Sequence, residues 1–495
     1  MCVTRLPRPL SRPVAFALLT VLATGPAAAG PLTVSSPPVL ASGPSPFAAC
    51  TVGGPGTLYV NAEVEPRIAV NPMNPDNLVA VWQQDRWSNG GAHGLVTGAS
   101  FDGGQTWSRT WAHFSLCSGG TAANGGNYDR ASDPWVSFAP NGHAYQISLS
   151  ASANLFTSAI LVSKSTTGGH TWSEPITLAR DDSFFHFNDK ESITADSTDP
   201  QLVYAVWDRS RFPSENADFN ALHSAAFRGD IIFSRTTNAG ASWEPARAIL
   251  GPNNNEFTIG NQIVVLPDGT LVDVFNLLKG SGHQPVQSGQ TFVAVIRSTD
   301  KGLTWSQPII VDFDFSVPVR DPDTGAPVRT GEGLPDIAVD PDTGALYVAW
   351  TDGRFSGFTH DDIALSKSTD GGLTWSPAVK VNATPAGVAA FTPTVRVAAD
   401  GTVAVTYYDF RNNTPDPGLP TDYWIVHSHD GGETWAEDHI AGSFDLQTAP
   451  VARGLFLGDY QGLTSVGDVF VPFFIQTNSG NTANRTDAFA VTAGP

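Results

Sequence analysis

Charged and aromatic residues gather at six places in this 495-residue sequence, each at the entry to a short apolar run. They are Glu63, Glu65 and Arg67; Arg130, Asp133 and Trp135; Asp189, Lys190 and Glu191; Asn261 and Gln262; Glu332 and Asp336; and Asp459 with Tyr460. Further along the same repeats come Gln83, Asp85 and Arg86; Asp208, Arg209 and Arg211; Asp352 and Arg354; and Asp409 with Arg411. Carboxylates can move protons, guanidinium forks can hold an acid group, and aromatic rings can cover the apolar face of a sugar, so together they suit a glycan site. The second set recurs as "WQQDR", "VWDRSR", "AWTDGR" and "YYDFR", and a motif repeated by symmetry suits Asp–Arg bracing of loops better than catalysis. Arg67, Trp135, Glu191 and Tyr460 each break the pattern at their own entry. No zinc-like Cys/His spacing, phosphate loop or Gly-x-Ser-x-Gly elbow occurs, and the 11 histidines are scattered. No cofactor is expected; a structural calcium in the acidic channel stays open, without an EF-hand loop to support it.

These residues must be positioned by two repeated elements. The first is an eight-residue box: "SFDGGQTW" (100–107), "STTGGHTW" (165–172), "TTNAGASW" (236–243), "STDKGLTW" (298–305), "STDGGLTW" (368–375) and "SHDGGETW" (428–435). Its tryptophans are spaced by 65, 71, 62, 70 and 60 residues, which marks a repeat protein. Apolar runs flank each box, so it reads as a tight turn between strands: the aspartate caps the turn's N–H groups, the glycines take positive φ, and the tryptophan reaches back into the core. The second element is a hairpin around a Pro/Asp/Gly turn, found seven times, from "RIAVNPMNPDNLVAVWQQD" (67–85) to "YQGLTSVGDVFVPFFIQ" (460–476). A hairpin followed by strand, box and strand makes a four-stranded β-propeller blade. The last hairpin has only "DAFAVTA" (487–493) after it, and "VSSPPVLASG" (34–43) resembles the post-box strands. The expectation is an all-β, seven-bladed propeller closed by that N-terminal strand, with six blades as the alternative. In a propeller the strand-one entries and strand-two exits share one face, and the boxes lie on the other, where they serve structure.

Residues 1–29 read as a secretory signal peptide: Arg5, Arg8 and Arg12 precede the apolar "VAFALLTVLA", and small residues follow. Residues 30–495 then form a single exported domain, extracellular or periplasmic, with no span for membrane insertion and a monomer expected. Cys50 and Cys117 are the thiols left in an oxidising compartment, and a disulfide between them is expected. The net charge of −20 repels nucleic acid and anionic membranes; local arginines can still bind an anionic sugar within the Debye length.

In this setting the boxes resemble the Asp-box (BNR) repeats of the sialidase superfamily, over nearly all of the mature chain. The resemblance implies a propeller fold and points to an exo-glycosidase acting on terminal, possibly sialic, sugars. It implies Tyr460 in "GDYQGL" as nucleophile, Glu191 as its base and Asp85 as the acid. Arg67 in "EPRIAV" stands where the family's first-blade arginine lies, with Ala69 in place of a proline; Arg354 and Arg411 complete an arginine triad, and Asp133 and Trp135 line the substrate. Two further readings stay open: a hydrolase or lyase acting on another polysaccharide, and a non-catalytic propeller binding a glycan or protein.

Overall fold

A computed structural model describes residues 1–3, 30–212, 228–253, 256–280 and 290–495; apart from its first three residues, the expected signal peptide lies outside them. Among the described residues the chain is strand with a few one-turn 3-10 segments. Each predicted hairpin and box falls where its turn chemistry places it. The first group of strands is Leu58–Asn71, Asn74–Trp87, Ala92–Ser100 and Ser108–Thr110, paired antiparallel in chain order. The same order recurs from Arg130–Phe138, His186–Ala195, Glu256–Val265, Asp336–Val339 and Ala390–Val397. The last group, Gly462–Val466, Val469–Thr477 and Thr486–Ala490, receives Val39–Leu40 as its outer strand, with Val39 opposite Ala490 and Leu40 opposite Phe489. Thr33 and Val34 pair with Gly494 and Ala493. Among the described residues the groups are not joined into one closed sheet; single bridges, Ala92 to Ala131 and Ala62 to Thr486, link neighbours.

Every box joins the third strand of its group to the fourth. In the box at 368–375, the Asp370 carboxylate accepts from the Leu373 and Thr374 N–H groups at 3.0 and 2.9 Å and from the Thr374 hydroxyl at 2.6 Å. Gly371 and Gly372 take φ of 71° and 85°, as the turn requires. Where the aspartate is missing, a neighbouring chemistry replaces it: the Thr167 hydroxyl accepts from Thr171 N–H, and the Asn238 carbonyl from Ser242 N–H, both at 2.9 Å. The box tryptophans pack beside the apolar clusters between strand groups. Cys50 and Cys117 are joined by a disulfide, with their Cα atoms 5.5 Å apart.

One backbone feature matters for the site and has no sequence signature. Five of the inner strands slip register at the same place, between Val64 and Arg67, Ser132 and Trp135, Asp189 and Ser192, Ile259 and Gln262, and Phe391 and Thr394. Each bulge holds one residue in the left-handed region: Glu65 (54°), Asp133 (50°), Lys190 (50°), Gly260 (83°) and Thr392 (54°). A bulge re-aims the side chains at a strand entry, and a non-glycine residue in this region costs of order 1–3 kcal/mol. That three of the five are charged, not glycine, marks this rim as more than scaffold.

Candidate functional site

The bulges bring Glu65, Asp133 and Lys190 together from three neighbouring strand groups. The Lys190 ammonium lies 2.6 Å from Asp459, 3.3 Å from Glu65 and 3.8 Å from Asp133, all of them buried. Arg329, from the long connection 314–335, forks onto the same Asp459, its Nε donating at 2.8 Å while a terminal nitrogen donates to the other oxygen. That connection is held over the entry by parallel pairing of Val328 and Arg329 with Leu455 and Phe456. Phe456 is fully buried, with the Arg329 and Arg86 guanidiniums 4.3 and 4.9 Å from its ring centroid.

Beside this cluster opens a cavity lined by Trp135, Lys190, Glu191, Asn261, Gln262, Asp336, Asp459 and Tyr460 among others, with about 410 Å³ of atom-free space including its open mouth. Trp135 and Tyr460 meet edge to face, 5.4 Å between centroids. Arg67 stacks on Trp135 at 3.6 Å. Four of the expected site residues, Tyr460, Glu191, Trp135 and Arg67, therefore meet at one place, and Asp133 lies next to them through Lys190.

Their electrostatics differ sharply. Burial pushes Glu65 up to about 8, against the pull of Lys190, and Asp189 up to about 7. Burial, reinforced by Asp133, pushes Glu191 well above the carboxylate range; one oxygen accepts from Leu149 N–H and the other, also buried, has no hydrogen-bond partner among the described residues. For Asp459 burial is overcome by Arg329 and Lys190, which hold it well below that range, and for Asp133 burial is outweighed by Lys190 and a hydrogen bond with Glu65, which lower it. The rim thus sets carboxyls whose proton affinity burial raises beside others whose affinity neighbouring cations lower, an arrangement that suits acid–base chemistry.

Several of the expected site residues have partners that bear on their expected roles. Burial and then Glu65, Asp133 and Glu191 push the Tyr460 phenol well above 10, and its hydroxyl donates to the Pro134 carbonyl at 3.4 Å, with no hydrogen bond to Glu191 among the described residues. Three carboxyls around a phenol oppose its ionisation, and Arg67 favours it. Arg67 is committed to Asp336 at 2.6 Å, with Gln262 and the Gln461 carbonyl as further acceptors. Arg354 grips Asp352 and Asp312, and Arg411 grips Asp409 and Glu437 while stacking on Trp424 at 3.7 Å. Arg411 braces a loop of its own strand group, whereas Arg354 ties its loop to Asp312 and the Phe313 carbonyl of the preceding group, and neither joins Arg67. Asp85 is fully buried away from the cavity lining, accepting from Ser45, from Asn61 N–H and from His93. Arg329 was invisible in the sequence because it belongs to no repeat; the unusual length of the 314–335 connection was the only available signal.

No family model matches the chain, and no curated protein does. Solved structures do. A Penicillium chrysogenum alpha-L-arabinanase complexed with arabinobiose is 13% identical over 92% of this chain and 98% of its own, with a TM-score of 0.48. A Hadza microbial sialidase is 16% identical over 84% of this chain and 73% of its own, at 0.47. An alpha-L-arabinofuranosidase from Fusarium graminearum is 12% identical over 89% and 98%, at 0.44.

Proposed function

We propose that the chain is an exported glycoside hydrolase, a seven-bladed propeller over residues 30–495 closed by the Val39–Leu40 strand, and that it removes a terminal neutral sugar from a glycan at the Trp135–Tyr460 cavity. One observation carries the reading: Glu191, whose proton affinity burial raises and one of whose oxygens has no hydrogen bond among the described residues, lines the same cavity as Asp459, whose proton affinity Arg329 and Lys190 lower. Glu191 protonates the leaving oxygen as the glycosidic bond breaks, the Asp459 carboxylate faces the positive charge that develops on the sugar, and water then bonds to the anomeric carbon and gives its proton back to Glu191. Trp135 and Tyr460 supply the platform for the sugar's apolar face. A neutral sugar is favoured over a sialoside because Arg67, Arg354 and Arg411 are each held by a carboxylate of the chain. A second reading, an acidic sugar, requires Lys190 of the cavity lining to leave its ion pairs with Asp459 and Glu65.

The test is a panel of fluorogenic glycosides, neutral sugars and a sialoside included, run on wild type, Glu191→Gln, Asp459→Asn and Tyr460→Phe. The proposal expects cleavage of a neutral glycoside, a loss of about 10²–10⁴-fold in Glu191→Gln, and substantial activity kept in Tyr460→Phe. Turnover of the sialoside alone selects the second reading, and loss of that turnover in Tyr460→Phe restores the tyrosine nucleophile. A blank panel with glycan binding retained makes the propeller a binding module.

A further inference from the structure

Asp85 does no work at the cavity, yet it is among the most constrained carboxylates in the chain. It holds a left-handed φ of 65°, is fully buried, and its Oδ2 lies 3.2 Å from Nδ1 of His93. His93 is itself buried at 1% exposure, and its ligating atom and the Cys50 and Cys117 sulfurs all lie within 4.8 Å of one another. Two sulfurs and an imidazole whose Nδ1 rests on a carboxylate, which leaves Nε2 for a metal, are the donor set of a zinc site with its orienting partner. We propose that Cys50, Cys117 and His93 form a site for a soft divalent cation, zinc above all, that opens when the disulfide is reduced.

The geometry needs little rearrangement. A tetrahedral zinc with Zn–S of about 2.3 Å and Zn–N of about 2.0–2.1 Å places its sulfurs about 3.8 Å apart and sulfur and nitrogen about 3.5 Å apart. The present atoms are already within 4.8 Å, so the main movement is the parting of the two sulfurs. Nε2 of His93, now 3.3 Å from the Val52 carbonyl, becomes the nitrogen ligand, while Asp85 keeps Nδ1 protonated and the ring in place. In the redox step a dithiol gives two electrons and two protons to the Cys50–Cys117 bond and itself becomes a disulfide. Zinc then displaces the two thiol protons, and water fills the fourth position. The disulfide and the metal are thus alternative clasps on one segment, the one whose Val39–Leu40 strand pairs with Thr486–Ala490.

The test uses the full chain in a Cys2→Ser background, so that Cys50 and Cys117 are its only thiols. After treatment with a dithiol and its removal without oxygen, cobalt(II) is titrated in as a spectroscopic probe, followed by competition with zinc. The expected result is one cobalt per reduced chain with thiolate charge-transfer absorption, none in the oxidised chain, and a higher melting temperature for the reduced chain with zinc than without it. His93→Ala should abolish the one-to-one spectrum, and Asp85→Asn should weaken binding by about 10–100-fold. A reduced chain that binds no cobalt, that unfolds before the metal is added, or that binds equally well as His93→Ala overturns the proposal.

Discussion

Replacing Asp459 with asparagine tests the electrostatics of the rim directly. The carboxylate takes three charge-assisted bonds, two from Arg329 and one from Lys190 at 2.6 Å, and both cations are largely buried. Removing one partner of a buried ion pair costs about 3–5 kcal/mol, because the other charge stays buried and uncompensated. Here the site has a reserve. Asp459 is one of the charges that raise Glu65, so without it Glu65 ionises at lower pH and partly replaces the lost charge beside Lys190. The sign follows from linkage. In the wild type Glu65 titrates near 8 when folded and in the ordinary carboxyl range when unfolded; the folded state therefore binds more protons between the two, and its stability falls as pH rises through that window, by at most about 1.4 kcal/mol per unit. In Asp459→Asn this fall is smaller. The variant should lose about 3–5 kcal/mol near pH 5 and clearly less near pH 8. For a chain of 495 residues at about 2.1 cal/mol/K each, the unfolding entropy is near 1 kcal/mol/K, so the loss near pH 5 appears as a melting temperature lower by about 3–5 °C. Calorimetric melts of both proteins across pH 5–8 measure it. A loss below about 1 kcal/mol, or one that does not change with pH, would refute the coupling of Glu65, Lys190 and Asp459.

Other perturbations have equally definite outcomes. Cys117→Ser opens a loop with a sequence separation of 67, worth about 4 kcal/mol in the chain-entropy model, and should lower the melting temperature under oxidising, metal-free conditions; equal melting of variant and wild type counts against a clasp. Asp370→Ala removes four hydrogen bonds from an exposed turn, so a cost of about 1 kcal/mol is expected with glycan binding unchanged, and loss of binding without loss of stability would place the binding face at the boxes. Asp208 and Asp361, pushed up to about 8 by burial, act in the same direction as Glu65, so urea midpoints of the wild type should decline from pH 5 to pH 8; a rise would mean that these carboxyls are ionised in the folded protein.

The repeat architecture was legible in the sequence because its signals are local. A box needs a capping oxygen, residues tolerant of positive φ and a tryptophan within eight positions, and Thr167 and Asn238 show that the same turn forms when the oxygen comes from another side chain. Alternating apolar runs and Pro/Asp/Gly turns likewise announced the hairpins, and the likeness of 34–43 to the post-box strands announced its pairing beside 487–493. The gathering of Arg67, Trp135, Glu191 and Tyr460 could also be inferred, since inner strands of a propeller converge. What each residue does there could not. The charge on Tyr460, Glu191 and Asp459, and the freedom of Arg67, depend on partners as remote in sequence as Asp336 and Arg329 and on how deeply each group is buried. Composition specifies neither, because a carboxyl's proton affinity is set by the dielectric and the charges within a few ångströms, and only the folded chain brings those charges together.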